Sequence, residues 1–68
     1  MLNICGCLVH ALPHMTEGVI AAIEATEGGE VHGHENGRIV ITVEDVPGKR
    51  ASDQIMDLHK IPGVLTVT

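Results

Sequence analysis

Apolar residues along this chain follow two alternating spacings. A segment of period two (Asn3 to Ala11) is followed by one of period 3.6 (Pro13 to Glu27), and these spacings are typical of a strand and an amphipathic helix. Two more period-two segments flank Asn36-Gly37, a second helical segment runs from Pro47 to Lys60, and a last period-two run follows Pro62-Gly63. This order, β-α-β-β-α-β, predicts a ferredoxin-like fold of the α+β class.

The connections between these elements predict how the strands are arranged. Right-handed crossovers place both helices on one face of a four-stranded antiparallel sheet with the strand order 4-1-3-2. Asn36-Gly37 predicts a two-residue hairpin after the second strand (Glu30 to Glu35), because both positions of such a turn need positive φ. The 68 residues leave room for one domain, spanning residues 1–68. Its two helices can cover only one face of the sheet.

Alternation along the strands assigns the side chains to a covered face, under the helices, and an open face. The predicted covered face holds Cys5, Cys7, Val9, Ile39, Ile41, Val43, Leu65 and Val67. The predicted open face holds Ile4, Gly6, Leu8, Val40, Thr42, Val64 and Thr66, with His10 at the end of the first strand.

The predicted open face is unusually apolar for a soluble monomer. Four branched aliphatic side chains surround Gly6, and an exposed patch of this kind indicates an interaction surface. A glycine in a central strand also lets another backbone approach closely. The pattern favours a docking surface and a weak homodimer, paired sheet to sheet, about equally.

Composition and charge exclude several classes of function. The net charge is −5 and the four basic residues are scattered, which argues against nucleic acid as a partner. An acidic surface fits a basic peptide or a cation, although plain solubility explains it as well. No apolar run approaches the ~20 residues needed to span a bilayer. Met1 and Leu2 lead into the first strand without a basic segment, so no export signal is expected.

Cys5 and Cys7 are the residues with most potential for metal chemistry. Together with five histidines, among them His32 and His34 on one predicted face, they could suit zinc or copper. The alternative is that the cysteines are buried thiols in the core and the histidines lie on the surface. Two cysteines this close on one strand predict no disulfide, which favours a reducing cytoplasm. We assign no metal ligand and no cofactor.

The sequence offers little for catalysis. Its one serine, Ser52, lies in a predicted helix without a motif around it, and no glycine-rich loop has phosphate-binding spacing. Most carboxylates lie on the outer sides of the predicted helices. We therefore predict that the protein is not an enzyme.

Several segments together resemble the NapD family. They are Asn3-Ile-Cys-Gly-Cys-Leu-Val-His-Ala11, Gly28-Gly-Glu-Val31, Gly37-Arg-Ile-Val-Ile-Thr-Val-Glu44 and Ile61-Pro-Gly-Val-Leu-Thr-Val67. The resemblance implies a cytoplasmic chaperone for the catalytic subunit of periplasmic nitrate reductase. Such proteins bind the twin-arginine signal peptide of the precursor and hold it back from the Tat translocon until the molybdenum cofactor is inserted.

This resemblance agrees with the open face predicted from the residues. The apolar part of a signal peptide would lie as a helix across the sheet. The acidic residues near the strand ends, Glu30, Glu35 and Glu44, would meet its arginines. Two other functions remain open: a small metal carrier, which would retain zinc through dialysis, and an ACT-like regulatory module, which is expected within a larger chain.

Overall fold

The computed structural model describes residues 3–68. Met1 and Leu2, on which the expectation of no export signal depends, lie outside the described residues. The elements are β1 (Ile4–Ala11), α1 (Thr16–Glu24), β2 (Gly29–Glu35), β3 (Arg38–Glu44), α2 (Ala51–Leu58) and β4 (Val64–Val67), with a 3-10 turn (Pro13–Met15) before α1. Neither helix in this range is long and apolar enough to cross a membrane.

The sheet is antiparallel with the order β2-β3-β1-β4. This confirms the predicted α+β class and strand order. β1 and β3 form the centre, in a register that runs from Ile4 opposite Glu44 to His10 opposite Arg38. Because each side chain on β1 faces a known partner on β3, this register fixes which residues share a face.

The β2–β3 hairpin is the turn that the sequence predicts. Asn36 has φ of 52° and Gly37 has φ of 81°, so both positions are left-handed. Gly37 also lies against β1, where its carbonyl accepts a 2.7 Å hydrogen bond from the Ala11 amide. A Cβ at position 37 would lie 2.6 Å from the Ala11 carbonyl oxygen, so only glycine fits there.

Both helices are shorter than the periodicity predicts. Pro13–Met15 forms a 3-10 turn, and α1 begins only at Thr16. Val46 and Lys49 hydrogen-bond each other's backbones across a tight turn, so α2 begins at Ala51 and not at Pro47. The Asp45 carboxylate accepts a 2.7 Å hydrogen bond from the Ala51 amide and so caps α2 from outside the helix.

The core lies between the helices and the covered face of the sheet. Its fully or nearly fully buried apolar members are Val9, Ala11, Val19, Ile23, Ile39, Ile41, Val43, Ala51 and Leu58. Gln54 on α2 is also buried, although it is polar. Its Nε2 donates a 2.7 Å hydrogen bond to the Glu44 carbonyl, which ties α2 to the end of β3.

Strand β4 departs from the predicted alternation. Its register against β1 shifts at His10 and Ala11, so that Ala11 pairs with Val64 while His10 pairs with Thr66. Leu65 is the extra residue of this bulge. Val64 consequently packs against the core, whereas Leu65 is 59% exposed. The predictions that Leu65 lies in the core and Val64 on the open face are therefore wrong.

Candidate peptide-binding face

The open face of the sheet is crossed by four pairs of residues from β1 and β3. In order along the strands they are Ile4 with Glu44, Gly6 with Thr42, Leu8 with Val40, and His10 with Arg38. Their neighbours on the outer strands are Glu30 beside Thr42, Gly33 beside Val40 and Glu35 beside Arg38 on β2, and Thr66 beside His10 on β4. The β3 residues between them, Ile39, Ile41 and Val43, are buried on the covered face.

The middle of the open face is apolar and hollow. Leu8 and Val40 lie directly opposite each other, and Ile4 and Val40 are 64% and 52% exposed. No atom lies within 4 Å of where a Cβ would be at Gly6 or Gly33. A hollow of about 450 Å³ lies over Leu8, Val40 and Gly33 and extends to the hairpin end of the face, where polar residues line it: His34, Glu35, Asn36 and Arg38. This shape leaves room for a side chain of a partner to approach the sheet.

Of the predicted binding residues, Val64 is the one that the structure removes from the open face. Its side chain packs against the core, and the bulge leaves Leu65 exposed instead. Thr66 remains on the open side, where its Oγ1 lies 3.1 Å from Nδ1 of His10. This contact fixes the His10 ring at the edge of the face.

The two histidines of β2 do not share a face. The register of β2 against β3 shifts between Val31 and Gly33, and His32 is the extra residue. Its Nε2 lies 2.8 Å from Oγ1 of Thr42, so His32 belongs to the open face. His34 pairs with Ile39, whose side chain is on the other face, so the predicted histidine pair is wrong.

The three candidate acidic residues lie at two different ends of the open face. Glu30 is exposed beside Thr42, and Glu44 is half-buried opposite Ile4. Glu35 is at the other end, directly opposite Arg38. Arg38 balances the formal charge at this end, although its side chain forms no ion pair with that of Glu35, so Glu30 and Glu44 are the better placed to meet a cation.

Arg38 and Gly33 are the residues of this face that the sequence analysis missed. Arg38 could have been found, because it is two residues from Val40 on β3 and alternation places both on one side. Gly33 could have been found too, because the predicted two-residue hairpin sets Glu35 opposite Arg38 and therefore Gly33 opposite Val40. Alternation counted from Val31 puts Gly33 on the covered face instead, because it does not foresee the bulge at His32.

The cysteines lie on the covered face, away from this surface. Cys5 and Cys7 are opposite Val43 and Ile41 and are half-buried, less than predicted. Burial, with a smaller contribution from Cys5, raises the pKa of the Cys7 thiol. Within residues 3–68 no three histidine, cysteine or acidic side chains are grouped so that they could hold a metal ion.

Two of three comparisons with known proteins found a match. The family model described as NapD protein matches residues 2–68. Among solved structures, the chain is similar to the E. coli Tat proofreading chaperone protein NapD, known from a solution structure, with a TM-score of 0.88 and 22% sequence identity over 98% of this chain and 73% of that one. At this identity the likeness shows a shared fold. No curated protein matches the sequence.

Proposed function

This chain belongs to the NapD family, and we propose that it is a chaperone that binds the twin-arginine signal peptide of the periplasmic nitrate reductase catalytic subunit. Binding holds the precursor back from the Tat translocon until the molybdenum cofactor is inserted. In this role the protein is not an enzyme, and it acts in the cytoplasm, where it meets the precursor before export.

The observation that carries the proposal is the uncovered apolar middle of the open face. Leu8, Val40 and Ile4 offer a surface to an apolar helix, and Gly6 and Gly33 leave space beside it. A twin-arginine signal peptide has the two matching parts, a basic segment followed by an apolar one. Acidic side chains on the same face, Glu30 and Glu44, complement the basic segment.

The apolar surface supplies part of the affinity. Burying ~400 Å² of apolar area yields about 10 kcal/mol at ~25 cal/mol per Å². Ordering the peptide and losing its free tumbling oppose much of this gain. Micromolar binding, about −8 kcal/mol, therefore also requires the contacts between the peptide's arginines and the acidic side chains.

The proposal is tested by calorimetric titration with a synthetic twin-arginine signal peptide. Leu8→Glu should abolish measurable binding, because it places a charge under the apolar helix, and circular dichroism should show an unchanged fold. The matched control is Met56→Glu on α2. Met56 is 67% exposed but lies on the helical side, so this variant should bind like the wild type.

Two outcomes would contradict the proposal. One is the absence of binding to the wild-type protein, and the other is equal binding by wild type and Leu8→Glu. Sedimentation equilibrium decides whether a second copy occupies the face instead. A dimer that Leu8→Glu converts to monomer, without any peptide binding, would assign the open face to self-association.

A further inference from the structure

Charge is distributed unevenly between the two ends of the open face. One end, which we call the acidic end, holds Glu30 and Glu44 beside the Thr42 and Ile4 positions. The other end holds His10 and Arg38 opposite each other, with Glu35 beside Arg38, so its formal charges cancel. The apolar pair Leu8 and Val40 lies between the two ends.

In the part of the chain that the structure describes, no cationic side chain forms an ion pair with Glu30 or Glu44 at the acidic end. The ion pairs among residues 3–68 join Asp57 to Lys49 and Lys60, which are on the helical side. Arg50 lies close to Asp45 at the start of α2 and helps to lower the pKa of that carboxyl. Glu30 and Glu44 therefore keep their charge available to a partner on the open face.

The distance between the ends matches a short helix. From Ile4 to His10 the strand rises about 3.3 Å per residue, or ~20 Å in all. A helix covers that distance with ~13 residues at 1.5 Å each. A bound helix also has a partial positive charge at its N-terminus and a partial negative charge at its C-terminus.

We infer that the signal peptide lies along β1 and β3 in one direction, with its arginines over Glu30 and Glu44 and its apolar helix running over Leu8 and Val40 toward Arg38 and His10. This inference rests on the proposed function. In this direction the arginines meet two carboxylates, and the negative helix end meets Arg38 and Glu35, whose formal charges cancel. In the reverse direction the arginines meet Arg38, and the negative helix end meets two carboxylates.

A charge-matched mutant cycle tests the role of the acidic end. The Glu30→Gln/Glu44→Gln variant should bind the twin-arginine peptide about tenfold more weakly than the wild type. It should bind a peptide with both arginines replaced by glutamine with less than a twofold change. The control is Glu17→Gln/Glu24→Gln, which removes the same net charge from exposed positions on α1 and should change neither affinity by more than twofold.

Spin labels on the peptide test the direction itself. A nitroxide at the peptide N-terminus should broaden the amide resonances of Glu30, Thr42 and Glu44. A nitroxide at the C-terminal end of the apolar helix should broaden those of His10, Arg38 and Thr66.

These experiments separate the inferred direction of the peptide from the proposed function. A reversed broadening pattern overturns the inferred direction and leaves the proposed function intact, as does an equal loss of affinity in the two double variants. Failure of the wild-type protein to bind either peptide overturns the proposed function and the inference with it.

Discussion

On β3, neighbouring side chains meet opposite environments. Ile41 is fully buried between the sheet and the helices, whereas Val40 beside it is 52% exposed. The covered face consists of apolar side chains packed on one another. The open face combines apolar, polar and charged groups with two glycines, Gly6 and Gly33, that have open space above them. Stability and binding therefore rest on alternate residues of the same strands, and substitutions can separate them.

The largest effects are expected when a glutamate is placed on one face or the other of β3. We expect Ile41→Glu to abolish folding, because an unpaired carboxylate in the core costs several kcal/mol against a total stability of about 5–15 kcal/mol. Val40→Glu should fold normally and lose signal-peptide binding. Amide resonance dispersion and circular dichroism report folding in both variants. Collapse of Val40→Glu would mean that the open face also stabilises the fold.

The bulge in β4 allows a buried and an exposed residue next to each other in the sequence to be compared. Val64 packs against the core, so Val64→Ala should lower the free energy of unfolding by about 1–2 kcal/mol, less than a fully buried aliphatic truncation. Leu65→Ala removes a larger side chain from an exposed position and should cost less than ~0.5 kcal/mol. Urea denaturation measures both. A larger loss of stability from Leu65→Ala than from Val64→Ala would mean that Leu65 is the buried residue, as strict alternation predicts, and would contradict the bulge.

The sequence predicts the covered face well where the alternation is uninterrupted. On β3, Ile39, Ile41 and Val43 are all buried as expected, because no residue interrupts the period of two. On β4, a single extra residue inverts the assignment of Val64 and Leu65. A bulge has no reliable mark in an apolar run, and its extra residue moves the side chains on one side of it to the other face.

The candidate site could be predicted in part for the same reason. Ile4, Gly6, Leu8, Val40 and Thr42 follow from regular alternation on the two central strands, which pair without a bulge from Ile4 to His10. The predicted two-residue hairpin already sets Glu35 opposite Arg38. The place of Glu30 could not be predicted, because an uninterrupted hairpin register would set Val31 opposite Thr42, and the bulge at His32 sets Glu30 there instead.

Low pH should lower the stability of the fold through Asp45, whose carboxylate caps α2. Hydrogen bonds from the Ala51 amide and from Asn3 lower the pKa of this carboxyl. Because its folded-state pKa lies below the unfolded value of about 3.9, its contribution to stability is present above that pH and is lost as the pH falls through the folded-state pKa.

Asp45→Ala should therefore lower the melting temperature at pH 7 and flatten its fall between pH 5 and pH 2. The control is Asp53→Ala, an exposed residue in the first turn of α2 that makes no hydrogen bond to the Ala51 amide. The melting temperature of this variant should fall as steeply as that of the wild type between pH 5 and pH 2. Parallel curves for wild type and Asp45→Ala would contradict the capping role.

The smallest expected effect concerns the part of the covered face that the helices cover least. Val9 is fully buried on β1, but Cys7 is only half-buried. Since burial raises the pKa of the Cys7 thiol and the thiolate is the reactive form, native Cys7 should react several-fold more slowly with iodoacetamide at pH 8 than the unfolded chain does. The Cys5→Ser variant isolates this thiol for measurement by mass spectrometry. Because the neighbouring Cys5 contributes less to the raised pKa than burial does, the native thiol should stay slow in this variant. A native rate equal to the denatured rate would mean that the covered face ends before Cys7.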